Sequence, residues 1–574
     1  AFAQPVWTWP HASSTGMFSD AFTDLSDESL TGTKLLADDG YTTDEFGRSV
    51  SIDGDTMVVG AYGDDVTRGS VYVFTRATAG DLGSGWTQVA KLTADDGAET
   101  DRFGLMVSID GDTMVIGANK DDDKGDNSGS AYVFTRDTAG DLASGWTEVA
   151  KLTADDGAED DRFGISVSID GDTMVIGAYF DRDNGGYSGS AYVFTRATAG
   201  DLGSGWTQVA KLTADDGAYD DVFGIRVSID GDTMVIGSSS GSAYVFTRDT
   251  AGDLASGWTH VAKLTANDGA AGDEFGRSVS IDGNTVVVGA YGDADHGSNT
   301  GSAYVFTRTI TGDLTSGWTQ VAKLTADDGA ADDEFGRSVS IDGNTVVVGA
   351  YGDADHGSNT GSAYVFTRTI TGDLTSGWTQ VAKLTADDGA ADDFFGISVS
   401  IDGDTMVIGA RNDDDKGSNS GSAYVFLRTT AGDLASGWTQ VAKLTADDGA
   451  AGDEFGGSVS IGGGTVVIGA NLDDDKGSDS GSAYVFQLAL PSPCAQVSTP
   501  PRNGTGNDCI APLAHGDTCT PVCDDGFTAV TASAGCVNGN FFPGECRCRR
   551  GHPRSYHGNW ACNIEKRMGA RDEL

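Results

Sequence analysis

The sequence predicts an all-β protein, an eight-bladed β-propeller of four-stranded antiparallel blades, and three observations lead to it. A Phe-Gly pair recurs eight times at spacings of 57, 60, 60, 52, 60, 60 and 60 residues, with its phenylalanines at Phe46, Phe103, Phe163, Phe223, Phe275, Phe335, Phe395 and Phe455. Each copy contains four short segments of strand composition and no segment with helical periodicity. Four antiparallel strands in a period of roughly 40 to 60 residues are typical of one propeller blade.

The copy from 383 to 442 shows the four strands in order. The segment SVSI alternates small polar and β-branched residues and ends at DGDT, a tight hairpin turn. The second strand is TMVIGA, and the third, GSAYVF, follows an acidic loop. After TAGDLASG comes the fourth strand, WTQVAKL, so every blade is predicted to be a meander.

The two ends of the repeat region complement each other. The last copy stops after its third strand, whereas residues 33–40, TKLLADDG, repeat the ending of a fourth strand before the first Phe-Gly pair. We therefore expect the N-terminal strand to complete the last blade and close a ring of eight, which leaves few open sheet edges. A seven-bladed ring is the alternative, and it would leave one copy outside.

The repeat resembles the FG-GAP repeat of integrin α-chain heads. Phe395-Gly396 corresponds to the FG pair and Ile408-Gly409-Ala410 contains the GA of the GAP, and the resemblance covers about residues 34 to 487. Integrin blades carry a DxDxDG calcium loop between their first two strands, where this chain has only the turn Asp402-Gly403-Asp404. The resemblance thus implies the propeller fold, but not that calcium site. It also implies that the face formed by the 4-to-1 connections and the 2-to-3 loops meets a ligand.

The charge of the chain excludes some partners. The formal net charge is −50, and the excess lies in the repeats. Nucleic acid and anionic membranes need basic surfaces, so we expect neither as a partner. No apolar window is long enough to span a membrane as a helix. The acidity indicates a solubilising surface or cation binding.

The 2-to-3 loop has a spacing that suits a hard cation. Oxygen-bearing residues stand at i, i+2 and i+6, with a glycine carbonyl at i+4, and calcium prefers such alternating oxygens. The alternative is that Asp, Asn and Gly are simple turn formers. Since no bidentate Glu is present, each site would need further ligands from Asp387, Asp388, Asp392 or Asp393 of the adjacent connection, or from water. The predicted calcium ligands are Asp121, Asp123, Asn127, Asp181, Asp183, Asp293, Asp295, Asn299, Asp353, Asp355, Asn359, Asp413, Asp415, Asn419, Asp473, Asp475 and Asp479.

Catalysis finds little support in the repeats. The copies at 263–322 and 323–382 differ only at two positions, so each carboxylate has several equivalents. An active site needs a unique constellation. We interpret His296 and His356 as solvated loop residues, Phe395 as a core anchor and Trp438 as a packing residue between blades.

The composition changes at 491–493, and all cysteines follow. A dense, even set predicts a disulfide-stapled module similar to sushi or EGF-like modules, with connectivity left open and a zinc site as the alternative. Asn503 is an N-glycosylation acceptor. The predicted domains are an N-terminal segment, 1–33; the propeller, 34–490; the module, 491–548; and a basic tail, 549–574. The cysteines are Cys494, Cys509, Cys519, Cys523, Cys536, Cys546, Cys548 and Cys562.

Both ends of the sequence predict the secretory route. The start Ala1-Phe2-Ala3 fits the remnant of a signal peptide, and the end RDEL resembles an address for retrieval to the endoplasmic reticulum. The expected function is a non-catalytic, extracellular or cell-surface adhesion protein, presenting an acidic, calcium-binding face to a protein or glycan. The alternatives are a calcium-buffering or assembly protein of the endoplasmic reticulum and an enzyme with a site on the propeller rim.

Overall fold

The computed structural model describes residues 32–81, 84–310, 313–369, 373–430 and 432–488, together with the backbone of five short strands between residues 518 and 548. The first five ranges form eight four-stranded antiparallel sheets. The predicted eight-bladed β-propeller is therefore confirmed. Blades are numbered here in the order of their Phe-Gly pairs, so that blade 1 follows Phe46 and blade 8 follows Phe455.

The innermost strand of each blade carries the SVSI segment. These strands are β2 (Ser49–Asp53), β6 (Met106–Asp110), β10 (Phe163–Asp170), β14 (Arg226–Asp230), β18 (Ser278–Asp282), β22 (Ser338–Asp342), β26 (Phe395–Asp402) and β30 (Ser458–Gly462). The second strands are β3 (Thr56–Ala61), β7 (Thr113–Ala118), β11 (Thr173–Ala178), β15 (Thr233–Ser238), β19 (Thr285–Ala290), β23 (Thr345–Ala350), β27 (Thr405–Ala410) and β31 (Thr465–Ala470).

The third and fourth strands complete each blade. The third strands are β4 (Ser70–Arg76), β8 (Ser130–Arg136), β12 (Ser190–Arg196), β16 (Ser242–Arg248), β20 (Ser302–Arg308), β24 (Ser362–Arg368), β28 (Ser422–Arg428) and β32 (Ser482–Gln487). The outermost strands are β5 (Trp86–Leu92), β9 (Trp146–Leu152), β13 (Trp206–Leu212), β17 (Trp258–Leu264), β21 (Trp318–Leu324), β25 (Trp378–Leu384), β29 (Trp438–Leu444) and, in blade 8, β1 (Thr33–Leu35). The shortened loop of blade 1 holds one short turn, α1 (Asp64–Thr67), in which Asp65 and Val66 have positive, left-handed φ.

The N-terminal strand closes the ring, as the sequence predicts. Strand β1 pairs antiparallel with β32, and Lys34 lies opposite Tyr484. Leu35 and Phe46 share a hydrophobic cluster with Val467 of blade 8, so the first and last blades pack together. The seven-bladed alternative is thereby excluded.

The hydrophobic core lies between neighbouring blades. Both middle strands of each blade are buried along almost their whole length because adjacent sheets cover both of their faces. Phe395 is fully buried and packs edge-on against Tyr424, with ring centroids 5.3 Å apart. A Cβ atom on Gly421 would lie 2.0 Å from the carbonyl oxygen of Phe455 in the next blade. The blades can approach this closely only because glycine occupies the contact.

Antiparallel strand order separates two faces of the propeller. The 2-to-3 loops and the 4-to-1 connections meet on one face, called here the loop face, where Phe455 N–H donates to the carbonyl of Ser420. On the opposite, turn face, Arg428 bonds Asp404 of its own blade and Thr345 of the preceding blade. Its guanidinium lies 4.5 Å from the ring centre of Trp438, so this tryptophan packs within the blade seam.

The C-terminal region contributes two small sheets. Strands β33 (Thr518–Cys519), β35 (Ala534–Val537) and β36 (Asn540–Phe542) form one, and β34 (Phe527–Ala529) pairs with β37 (Cys546–Cys548) in the other. The disulfide, zinc and glycosylation predictions concern side chains outside the described residues. Within the described part of the chain, no helix is long and apolar enough to cross a membrane.

Candidate functional site

A group of three aspartates surrounds a lysine ammonium on the loop face of blade 7. The Nζ atom of Lys443 lies 2.6 Å from Asp388 Oδ2, 2.9 Å from Asp413 Oδ2 and 2.5 Å from Asp415 Oδ2. The hydroxyl of Tyr424 donates to Asp413 at 2.9 Å and approaches Asp388 at 3.0 Å. We call these five residues, and their equivalents in other blades, the carboxylate cluster.

Four separate elements bring the cluster together. Asp388 belongs to the connection that enters blade 7, and Asp413 and Asp415 belong to its 2-to-3 loop. The loop is held in a tight turn because Asp415 N–H donates to the Asp413 carboxylate and Gly421 N–H donates to the Asp413 carbonyl. Tyr424 and Lys443 face each other across β28 and β29, so the ammonium lies over the tyrosine ring.

Burial differs sharply among the three carboxylates. The side chain of Asp413 is 4% exposed, whereas Asp388 and Asp415 are 46% and 50% exposed. A buried carboxylate is costly unless it is paired and hydrogen-bonded. Asp413 is therefore the anchor of the cluster, and the other two aspartates form its solvent-facing rim.

Lys443 and Asp388 hold each other in their charged forms. Burial disfavours the charge on Lys443, but hydrogen bonds to Asp388, Asp415 and Asp413 outweigh it and raise its pKa. Burial likewise opposes the charge of Asp388, and the hydrogen bond from Lys443 lowers the pKa of this carboxyl below its usual value. Burial and the charge of Asp413 raise the pKa of Tyr424, which keeps its hydroxyl protonated. One ammonium against three carboxylates leaves a formal charge of −2 on the cluster.

The cluster recurs around the ring. Blade 1 has a reduced version with two aspartates, Asp39 and Asp64, around Lys91. Blade 4 lacks the acidic loop, and Lys263 pairs only with Asp216 there. The complete clusters are Asp96, Asp121, Asp123, Tyr132 and Lys151; Asp156, Asp181, Asp183, Tyr192 and Lys211; Asp268, Asp293, Asp295, Tyr304 and Lys323; Asp328, Asp353, Asp355, Tyr364 and Lys383; Asp388, Asp413, Asp415, Tyr424 and Lys443; and Asp448, Asp473, Asp475, Tyr484 and Lys34.

The structure groups the predicted aspartates but not the last residue of the predicted spacing. At that place the backbone has positive φ and its carbonyl accepts a hydrogen bond from the next connection, as from Glu454 N–H to Asn419. The side-chain amides of Asn127, Asn299 and Asn359 donate instead to Asp160, Asp332 and Asp392. This position therefore shapes the turn. The equivalent residues with positive φ are Asn127, Tyr187, Asn299, Asn359, Asn419 and Asp479.

The carboxylate clusters fit a cation in charge and in the hardness of their donors. In blades 6 and 7 the three carboxylates offer oxygens that all lie within 4.8 Å of one another. The centre of each cluster is the place of the lysine ammonium, so a calcium ion fits only after the lysine has moved away. Calcium binding by these residues stays a prediction, and the structure adds this condition to it.

Sequence reasoning from loop spacing missed the tyrosine and the lysine. Both residues stand in strands, where the type of a residue is usually explained by the alternation of inward and outward side chains and by packing. A signal was available in the sequence. Every copy has the tyrosine of AYVF or VYVF and the lysine of the KL ending, although strand formation requires neither residue. His296 and His356 lie exposed in their loops, as expected.

Comparisons with known proteins were consistent with the repeat. A family model described as FG-GAP repeat matches the chain eight times, at residues 31–74, 86–134, 146–194, 206–246, 258–306, 318–366, 378–426 and 438–486. No curated protein matches the chain.

Solved structures similar to the chain include a designed protein and two natural ones. The computationally designed Ika8 protein is 15% identical with a TM-score of 0.47, and the match covers 80% of this chain and 100% of that one. Sqt1 of Saccharomyces cerevisiae is 12% identical with a TM-score of 0.46, covering 80% of this chain and 99% of that one. Sqt1 of Chaetomium thermophilum is 15% identical with a TM-score of 0.46, covering 78% and 97%.

Proposed function

Since the chain belongs to the FG-GAP repeat family, we propose that it is a non-catalytic binding protein whose propeller presents the carboxylate-rich loop face to a protein or glycan. The family and the eight-bladed ring supply a binding scaffold. The partner, the extracellular or secretory location and the use of calcium are the parts that we propose.

The observation that carries the proposal is the repetition of one cluster on one face. Six blades hold a complete carboxylate cluster, and each has an exposed rim of two aspartates beside a buried one. Equivalent sites placed around a ring favour a ligand with several matching groups, because the second and later contacts form at high effective concentration. A single deep pocket would not need this repetition.

The chemistry of the partner follows from the charge. Each complete cluster keeps a formal −2, and the whole chain has a net charge of −50. A partner with basic side chains or amino sugars would be steered to this face and held by its rim carboxylates. Fixed loops, rather than mobile ones, lower the entropy cost of such binding.

We propose that calcium competes with the lysine ammonium for the carboxylate oxygens of the cluster. When bound, the ion would take oxygens of Asp388, Asp413 and Asp415 in blade 7, and Lys443 would turn to solvent. Because the resident ammonium must be displaced, we expect weak calcium binding, such as that of extracellular modules in the range of about 10⁻⁴ to 10⁻³ M.

The proposal is tested with two charge-matched variants of the full chain. The loop-face variant replaces three rim aspartates, Asp295→Asn, Asp355→Asn and Asp415→Asn. The turn-face variant makes the same change of charge at three exposed aspartates of the 3-to-4 loops, Asp141→Asn, Asp201→Asn and Asp433→Asn. Both variants are screened beside wild type against a displayed library of basic peptides and an array of neutral and amino-sugar glycans.

The expected result is specific to one face. Ligands bound by wild type should be lost by the loop-face variant and retained by the turn-face variant. Equal loss in both variants would mean that only total charge matters, and retention by the loop-face variant would place binding elsewhere. Either result would contradict the proposed function.

A further inference from the structure

Several basic side chains of the loop face have no carboxylate partner, although the chain has a large excess of carboxylates. Each strand-4 lysine forms at least one salt bridge with an aspartate. By contrast, Arg48, Arg102, Arg162, Arg226 and Arg337 form no salt bridge within the described residues. All five stand next to the Phe-Gly pairs or on an innermost strand, around the axis of the ring.

Arg226 is the most unusual of these residues. It occupies a position on the innermost strand that is serine in six blades, where the hydroxyl ties one blade to the next, as Ser398 does to the carbonyl of Gly456. Arg226 alone is exposed at this position. Consecutive innermost strands contact each other around the ring, so the solvent that reaches them is that of the central channel. The guanidinium of Arg226 therefore lies in the channel.

The hydrogen-bonding capacity of Arg226 is mostly unused. Its Nη1 donates to the carbonyl of Ile225 at 2.9 Å, and no other protein partner is present among the described residues. A guanidinium has five N–H donors in a planar fork that matches the oxygens of a carboxylate or phosphate. The remaining donors are available to a ligand in the channel.

Blade 4 also lacks the acidic loop that other blades place above this position. Its second and third strands are joined by Ser239–Gly241, so the paired loop aspartates are absent there. The next two blades contribute Arg277 and Arg337. Arg277 pairs with Glu274, whereas Arg337 lies 4.6 Å from the ring centre of Tyr291 without a carboxylate. The acidic rim is thus interrupted at blade 4, the blade that carries Arg226.

The electrostatics of Arg226 agree with this geometry. Desolvation within the channel and the like charges of Arg337 and Arg277 lower its pKa, so no nearby carboxylate compensates its charge. An arginine nevertheless stays protonated at neutral pH. Distant carboxylates are screened over a Debye length of about 8 Å at physiological ionic strength, and the adjacent carboxylate of Glu274 is held by Arg277.

We propose that Arg226, Arg277 and Arg337 form a binding site for a small oxyanion, a polycarboxylate or a phosphate, at the loop-face mouth of the central channel. Arg226 supplies a fork from within the channel, Arg337 supplies a positive charge that forms no salt bridge within the described residues, and Arg277 shares its charge with Glu274. This site is independent of the carboxylate clusters and of the partner proposed for them.

The test is calorimetric titration of the metal-free full chain with citrate, with inorganic phosphate and with hexaglutamate, at low salt and neutral pH. We expect citrate or phosphate to bind at one saturable site. The variant Arg226→Ser should weaken this binding by about ten-fold or more, since it removes a charged fork of hydrogen bonds. Arg337→Ala should weaken it as well.

The chain offers a matched control that separates loss of binding from loss of folding. Arg226→Ser restores the serine found at this position in six blades, and Met106→Ser makes the same restoration in blade 2 without removing a charge. Met106→Ser should bind like wild type, and circular dichroism should show that all variants are folded.

Three results would overturn the proposal. One is the absence of saturable citrate and phosphate binding into the millimolar range, and another is equal affinity in wild type and Arg226→Ser. Binding of hexaglutamate alone would also overturn it, because the site would then take an acidic protein segment and not a small anion.

Discussion

Lys443 shows how a strand residue can organise a loop. Its ammonium lies 2.9 Å from the carboxylate of Asp413, which is 4% exposed, and a buried carboxylate without a partner is costly. The strand fixes the position of the lysine, and the lysine in turn draws Asp388 and Asp415 inward from two different connections. The loop face is therefore ordered by a cation of the chain itself, the lysine ammonium.

The hydroxyl of Tyr424 should matter to stability. Tyr424→Phe leaves the ring packed against Phe395 but removes the donor to Asp413 and Asp388. Removing a hydrogen bond to a charged group should lower the free energy of unfolding by about 1.5 to 3 kcal/mol, measured by urea denaturation.

A control separates this loss from a general effect of removing a phenol oxygen. The hydroxyl of Tyr41, a residue that is 73% exposed, makes no hydrogen bond within the described residues, so Tyr41→Phe should change stability little. Equal effects of Tyr41→Phe and Tyr424→Phe would contradict the role given to the cluster.

The sequence allowed half of the site to be predicted. The loop spacing identified Asp413 and Asp415, and the adjacent connection was expected to assist, as Asp388 does. The role of Lys443 could not be read from spacing, because the contact joins residues 28 and 30 apart in different elements, and its geometry depends on the pairing of two strands. Asn419 acts as a turn former and not as a member of the cluster. Its backbone carbonyl accepts a hydrogen bond from the next blade, which spacing within one loop does not reveal.

At the scale of the element, the seam between blades depends on glycine. Gly421 has φ of +80° and lies against Phe455 of the next blade, whereas Gly432 has φ of +69° and open space within 4 Å of the place that a Cβ atom would take. Both positions strain an L-residue by about 1 to 2 kcal/mol. Gly421→Ala should cost several kcal/mol more, because its Cβ atom would clash with backbone.

Urea denaturation of Gly421→Ala and Gly432→Ala measures that difference directly. Since both variants share the backbone strain, the excess loss in Gly421→Ala reports the close approach of the blades. Similar stability of the two variants would show that the seam yields without cost and that the packing argument is wrong.

Strand β1 carries the closure of the ring. A chain that begins at residue 38 lacks β1 and leaves β32 as an open edge, so we expect a lower melting temperature and concentration-dependent aggregation. A chain that begins at residue 32 keeps β1 and should melt as the full chain does. Identical behaviour of the two truncations in calorimetry and light scattering would contradict closure by this strand.

The strands could be predicted because every copy repeats the same four strand segments and the same turns. The strand order, the blade number and the closure by the N-terminal strand followed from eight copies and one missing strand. Local details differed between copies. Strands β10 and β26 begin at their phenylalanines with a register shift, and blade 1 places a short turn in its shortened loop.

For the whole molecule, charge predicts an unusual dependence of stability on pH. In six blades, burial raises the pKa of the aspartate two residues before the Phe-Gly phenylalanine to about 6, although a backbone hydrogen bond opposes this shift. These aspartates are Asp44, Asp101, Asp161, Asp333, Asp393 and Asp453. The folded state therefore binds more protons than the unfolded state between about pH 4 and 6, and stability falls as pH rises through this window.

The carboxylate clusters act in the opposite direction at lower pH. The pKa of Asp388 is lowered, so its contribution is present above the unfolded value of about 4 and is lost as pH falls below it. The melting temperature should thus be highest near pH 4 to 5 and lower at about pH 7.5, where repulsion among carboxylates adds to the loss. A melting temperature that rises steadily from about pH 5 to about pH 7.5 would contradict this account.

We conclude that lysine is the resident cation of the loop face, and calcium calorimetry on wild type and Lys443→Gln measures whether this is so. We predict that wild type binds calcium weakly and that Lys443→Gln gains one site tighter by about ten-fold or more, because three carboxylates then lack their ammonium. Tight uptake of several ions by wild type, unchanged in Lys443→Gln, would contradict the claim.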